Sequence, residues 1–88
     1  MRLAYPNPSR GRAILELTLP RSSVVTVEIF EPSGRRVRTL RNAWTAAGRS
    51  SLTWDGRNAE GAPLHAGVYL YRWTAGVTRG QGKIELLR

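Results

Sequence analysis

The sequence predicts an all-β fold, an antiparallel sandwich of six to seven short strands, on three observations. Apolar residues recur at every second position, the period of a half-buried strand. Clusters of Pro, Gly and Ser interrupt the apolar runs at short intervals, as turns between short strands require. No stretch of twelve residues carries an apolar stripe at helical spacing. With 88 residues the chain has room for a single domain, residues 1–88, around one thin core.

Each element follows from its residues. Pro6 and Pro8 push Tyr5 and Asn7 into extended geometry, which predicts a segment lying along a sheet edge with Tyr5 capping the core. Ala13, Leu15, Leu17 and Leu19 alternate with Ile14, Glu16 and Thr18 until Pro20 ends the run, since proline cannot continue a ladder. Val25, Val27 and Ile29 alternate with Thr26, Glu28 and Phe30 in a second strand. Glu31-Pro32-Ser33-Gly34 has the proline and glycine of a type I turn and leads into a third strand near 35–41, anchored by Val37 and Leu40. Residues 42–48 read as a loop with a small apolar patch from Trp44 to Ala47, and a short strand at 50–54 puts Leu52 and Trp54 on one face. The irregular stretch 55–66 is punctuated by Gly56, Gly61 and Pro63.

The densest β signal is 68–75, rich in β-branched and aromatic residues. Tyr69, Tyr71 and Trp73 share a face opposite Arg72, which belongs in water, so the aromatic trio is assigned to the core. A last strand near 81–87 places Ile84 and Leu86 inward, Lys83 and Glu85 outward. The core expected from this pattern comprises Leu17, Val27, Ile29, Trp54, Tyr69, Tyr71 and Ile84. Trp54-Asp55-Gly56 ends a strand: the indole packs inward, the carboxylate bonds its own turn, and the glycine supplies positive φ. Gly67 suits a tight entry to the aromatic strand.

Composition excludes whole classes of function. There is no cysteine, hence no disulfide, no thiolate metal site and no Cys–Trp–Cys signature of an antibody-type domain. No apolar run is long enough for a transmembrane helix, and the first residues leave no room for a secretory signal, so export would require a longer precursor. His65 is the only histidine and sits in a loop; with Ser50 or Ser51 as chance neighbours it does not make a triad, and Glu16, Glu28 and Glu85 fall on outward strand positions. The sequence therefore predicts no enzyme and no cofactor. Asp55, Asn58, Glu60 and Gly61 invite a calcium reading, but Arg57 and Ala59 occupy positions where a calcium loop places oxygen ligands.

The charge is lopsided: 14 basic residues against 6 acidic give +8. All the basic residues but Lys83 are arginines, scattered along the chain with one cluster at Arg35, Arg36, Arg38 and Arg41. Such a balance favours anionic surfaces, including cell-surface glycans. Dedicated nucleic-acid binders concentrate charge among aromatic platforms, and this chain does not, so no nucleic-acid partner is expected.

The order of landmarks is more specific than the fold class. Tyr5-Pro6-Asn7-Pro8 opens the chain, followed by Val25-Thr26-Val27-Glu28-Ile29-Phe30 and Gly34-Arg35-Arg36-Val37. Leu52-Thr53-Trp54-Asp55-Gly56-Arg57-Asn58 comes next, then Gly67-Val68-Tyr69-Leu70-Tyr71, and Lys83-Ile84-Glu85-Leu86-Leu87-Arg88 closes the sequence. In this order the motifs resemble the Ig-like domain family shared by flagellar hook-capping proteins and the C-terminal sorting domains of type IX secretion (Por) substrates. The resemblance covers essentially the whole chain and implies an Ig-like sandwich.

It also implies a non-catalytic C-terminal sorting and attachment module of an exported bacterial surface protein, with secretion machinery or further copies of the chain as partners. The expected location is the cell surface or extracellular space, within a larger precursor or assembly. The closing residues Lys83, Ile84, Glu85, Leu86, Leu87 and Arg88 are then the candidate recognition strand, because a terminal strand can offer an open sheet edge. Two other readings stand beside it: a structural subunit of an extracellular filament, as in a hook cap, and a polyanion-binding module built on Arg35, Arg36, Arg38 and Arg41.

Overall fold

The computed structural model describes residues 2–5 and 9–87, with side chains over 11–87. Eight strands run in chain order, with no helix among the described residues: β1 (Arg2–Tyr5), β2 (Ser9–Arg10), β3 (Ala13–Leu19), β4 (Ser23–Phe30), β5 (Arg36–Thr45), β6 (Gly48–Trp54), β7 (Gly67–Ala75) and β8 (Thr78–Leu87). They form two sheets, one of order β1-β3-β6 and one of order β2-β8-β7-β4-β5. The six long strands pair antiparallel; the two-residue β2 joins β8 in parallel. Strands β3–β8 are the elements the alternation predicts, and together they make the Ig-like sandwich.

The alternation translates directly into burial. Ala13, Leu15, Leu17 and Leu19 of β3 face Val25, Val27 and Ile29 of β4 and Ile84 and Leu86 of β8 across a dry interior. Every residue of the expected core is buried there, and Trp54 is wholly enclosed. Trp73 and Leu40 pack against this core from its margin, half-buried. The turn at Glu31 closes as expected, with the Gly34 amide donating to the Glu31 carbonyl (2.9 Å) and the Glu31 amide to that of Arg35 (2.9 Å).

Three stretches depart from the sequence expectation. Residues 42–48 are not a loop: β5 runs on to Thr45, paired with β4 as far as Ser23, and β6 begins at Gly48. Small and polar residues there give no apolar period, but β4 supplies the ladder partners. Register shifts in β5 between the partners of Val27 and Glu28, and again between Arg36 and Arg38, obscure its alternation. The last strand begins at Thr78, because Gly80 and Gly82 sit opposite Trp73 and Tyr71 and are ladder residues. At the N-terminus, the backbone of Tyr5 pairs with Ile14 on the edge of the first sheet, as an edge segment should, and Ser9 already belongs to the other sheet. The side chain of Tyr5, and Pro6, Asn7, Pro8 and Arg88, lie outside the described residues.

Candidate functional site: sheet edges and the loop after Trp54

Two aromatic side chains anchor the long loop between β6 and β7. Trp54 meets Tyr69 edge to face, with ring centroids 5.4 Å apart and planes at 73°, an arrangement favoured by the ring quadrupoles. Each ring then uses its polar handle on the loop backbone. The Trp54 indole N–H donates to the Arg57 carbonyl (3.0 Å), and the Tyr69 hydroxyl to the His65 carbonyl (2.7 Å). Gly56, at φ 75°, turns the chain where a side chain would be strained, and its carbonyl accepts from Leu64 (2.9 Å). Gly67 enters β7 at φ 153°.

Asp55 is the electrostatic centre of this loop. Its carboxylate accepts from the Arg57 amide (3.0 Å) and from the Arg38 guanidinium (2.8 Å). Partial desolvation pushes its pKa up, but the Arg57 amide and the Arg38 and Arg57 charges together outweigh that and hold it below the usual carboxylate value. Arg38 stands on the edge strand of the five-stranded sheet and Asp55 at the end of β6 in the other sheet, so the pair ties the two sheets on their open side. The Ala59 amide donating to the Val37 carbonyl (3.0 Å) covers part of the same edge.

As a cation site the loop is unsuited. Asn58 Oδ1 accepts from the amides of Glu60 (3.0 Å) and Ala62 (2.9 Å), so its oxygen serves its own turn. Among the described residues no group of three acidic, histidine or cysteine side chains gathers in metal-binding range. His65 is exposed on the loop, while Ser50 and Ser51 lie on β6 opposite Leu17 and Glu16.

The arginine cluster divides among separate tasks. Arg36 pairs with Glu28 (2.8 Å) on the outer face, and Arg38 is bound to Asp55. Arg41 donates to Thr45 Oγ1 (2.8 Å) and to the Trp44 carbonyl (3.1 Å). A shallow hollow beside β5 brings Arg35, Arg36 and Arg38 together, but Glu31 and Glu60 line it too. The cluster therefore presents far less field than its sequence count suggests.

The expected recognition strand is placed in two parts. Ile84 and Leu86 are fully buried, while Lys83 and Glu85 face out. At its end the outer edge is not open: Ser9 and Arg10 pair with Leu86 and Leu87, and the Gly11 amide donates to the Leu87 carbonyl (2.9 Å). The expectation of a bare C-terminal edge is corrected there, because the N-terminal segment crosses to this sheet and takes up those backbone groups.

Comparison with known proteins now identifies the fold. Residues 8–80 match the family model described as the FlgD Ig-like domain. The chain belongs to the FlgD Ig-like domain family. Solved structures agree: the FlgD Ig-like chain is 28% identical to FlgD from Xanthomonas campestris, a hook-capping protein essential for flagellar assembly, with a TM-score of 0.66 over 88% of this chain and 56% of that one. It is 26% identical to FlgD from P. aeruginosa, with a TM-score of 0.65 over 82% of this chain and 57% of that one. Dimeric latent PorU from Porphyromonas gingivalis is 25% identical, with a TM-score of 0.76 over 97% of this chain but only 9% of PorU. The chain thus spans about a tenth of PorU and little more than half of the FlgD chains it matches. No curated protein matches the sequence.

Proposed function

We propose that this FlgD Ig-like domain is a non-catalytic sorting and attachment module of an exported bacterial surface protein, read by type IX-like secretion machinery. The observation that carries the reading is the likeness to PorU, in which nearly the whole of this chain corresponds to a small part of a much larger protein. A domain used this way must be recognised while its cargo varies, so its signal lies on its own surface. The signal is assigned to the charged side chains of Lys83 and Glu85, which stand on the outer surface of β8 while Ile84 and Leu86 are buried beneath them.

The test fuses residues 1–88 behind a signal peptide and reporter in a bacterium that has the type IX system. The reporter is expected at the cell surface or in the medium. Lys83→Ala with Glu85→Ala should leave it in the periplasm although the domain folds. Deleting the whole strand would be uninformative, because Ile84 and Leu86 are core residues. A folded parent fusion that stays in the periplasm refutes the reading.

The likeness to FlgD over more than half of that protein favours a second reading, a structural subunit of an extracellular appendage. Concentration-dependent assembly of the purified domain into filaments or rings, without export of the fusion, would put that reading first.

A further inference from the structure

We infer that the end of the sandwich formed by the β3–β4, β5–β6 and β7–β8 turns docks on a lipid surface rich in anionic headgroups. The inference does not depend on the sorting reading. These three turns lie side by side. The Ala47 amide donates to Ser22 Oγ (3.0 Å), joining the first two, and the Gly76 amide donates to the Val24 carbonyl (3.3 Å), joining the third. Leu87, the last described residue, lies at the opposite end, where β8 finishes beside Gly67.

Among the described residues, three of the four exposed large apolar side chains gather at this end. Trp44 and Val24 are direct partners across β4 and β5, exposed by 67% and 52%, and Val77, at the tip of the adjacent hairpin, is wholly exposed. Adjacent strands stand about 4.8 Å apart, so the three make one projecting apolar ridge. Nothing in the fold requires them to be apolar, since the core beneath is closed by Val25, Leu19 and Ala75.

The charges around the ridge have one sign. Arg21 in the first turn, Arg41 with its guanidinium on the Trp44 carbonyl, Arg49 at the start of β6 and Arg79 at the start of β8 all belong to this end. No acidic residue does. Glu31, Asp55, Glu60 and Glu85 sit at or near the far end, and Glu16 and Glu28 lie in the middle of their strands. Arg49 reaches Glu16 only loosely, at 3.9 Å, and among the described residues the Arg21 and Arg79 side chains have no ion pair.

A projecting apolar ridge inside a ring of arginines matches the layered chemistry of a bilayer surface. The apolar tip enters the boundary of the acyl chains, the indole settles at headgroup depth, and guanidinium groups bond lipid phosphates.

The test mixes the 88-residue protein with vesicles of phosphatidylglycerol and phosphatidylcholine in equal parts, reading sedimentation and tryptophan emission. Trp54 is buried and Trp73 half-buried, so a blue shift on binding reports Trp44. The expected result is vesicle-dependent pelleting with a blue shift, absent with phosphatidylcholine alone. Val77→Asp should weaken binding at least tenfold, and Arg21→Gln or Arg79→Gln about fivefold each, from the usual worth of one basic residue at an anionic membrane. Arg35→Gln, at the other end, should bind as the parent does. All four positions are exposed, so these variants keep the fold. Pelleting without a blue shift, equal loss in Arg35→Gln, or heparin binding as tight as vesicle binding and unchanged in Val77→Asp would each overturn the inference. The last outcome would mean a diffuse polyanion site in place of a membrane-docking tip.

Discussion

Gly82→Ala tests the packing of the aromatic strand at one atom. Gly82 is the ladder partner of Tyr71, whose ring lies across it on the core side. A Cβ at Gly82 would stand 2.5 Å from Cε2, Cζ and Oη of Tyr71, whereas carbon atoms rest about 3.5–4.0 Å apart. The ring must therefore retreat by roughly an ångström, and it is buried among Ile29, Trp54 and the other core residues. Overpacking of this kind costs about 1–3 kcal/mol. Alanine recovers ~0.4–1 kcal/mol by restricting the unfolded chain, since Gly82 does not have the positive φ that would forbid it. The net loss of about 1–2 kcal/mol lowers Tm by roughly 5–15 °C in a domain of this size. Thermal melts by near-UV circular dichroism measure it. The same substitution in a Tyr71→Leu background, where no ring covers position 82, should be neutral or mildly stabilising. A Tm for Gly82→Ala within about 2 °C of the parent, or an equal loss in both backgrounds, refutes the packing argument.

Other outcomes follow from the same geometry. Trp54→Ala removes a fully enclosed ring and the bond to the Arg57 carbonyl; a loss of ~3–5 kcal/mol from a total of ~5–15 kcal/mol should leave the domain near its unfolding midpoint in urea-free buffer, and a Tm close to the parent would contradict it. Arg38→Gln, which unties the two sheets, should lower Tm by a few degrees, and Arg36→Gln, on an exposed pair, should not change it measurably. Because the Asp55 pKa is depressed on folding, its stabilisation is present above about pH 4 and lost as pH falls further; Asp55→Asn should flatten the fall of Tm in that acid range. Burial raises the Tyr71 pKa, so folding favours the protonated phenol and stability declines as pH rises above about 10; Tyr71→Phe should remove that alkaline component, and an unchanged profile would show that the hydroxyl is hydrated.

What the sequence disclosed depended on whether a residue's partner lies in its own strand pattern. Leu15, Leu17, Val27, Ile29 and Ile84 reveal themselves by alternation, because a pleated strand puts every second residue on one face whatever it pairs with. The extension of β5 to Thr45 was hidden, since Asn42, Ala43 and Thr45 are strand residues only because β4 lies beside them. The roles of Gly80 and Gly82 were hidden for a related reason: glycine reads as a loosening of the ladder until Tyr71 and Trp73 are seen lying over it. Charge behaved likewise. The run at Arg35, Arg36, Arg38 and Arg41 stands out as a cluster, yet Glu28 and Asp55, distant along the chain, neutralise two of its members.

That neutralisation changes where the molecule's net charge is felt. Arginines near the Glu31 turn and the 55–66 loop face carboxylates supplied by neighbouring strands and by the same loop, so much of their field is cancelled within a few ångströms. At the other end the strands supply Thr, Ser and Ala instead: Arg21 and Arg79 face water, Arg41 bonds Thr45 and the Trp44 carbonyl, and Arg49 meets Glu16 only at 3.9 Å. In solution of physiological ionic strength a charge is felt over roughly 8 Å, far less than the 36 Å length of the domain. A partner approaching the turn end therefore meets a predominantly positive surface on which Trp44 and Val77 are exposed, whereas one approaching the loop end meets a mixed one. The sandwich thus separates its charges by position: arginines beside carboxylates near the 55–66 loop, and arginines with few carboxylates near the turns.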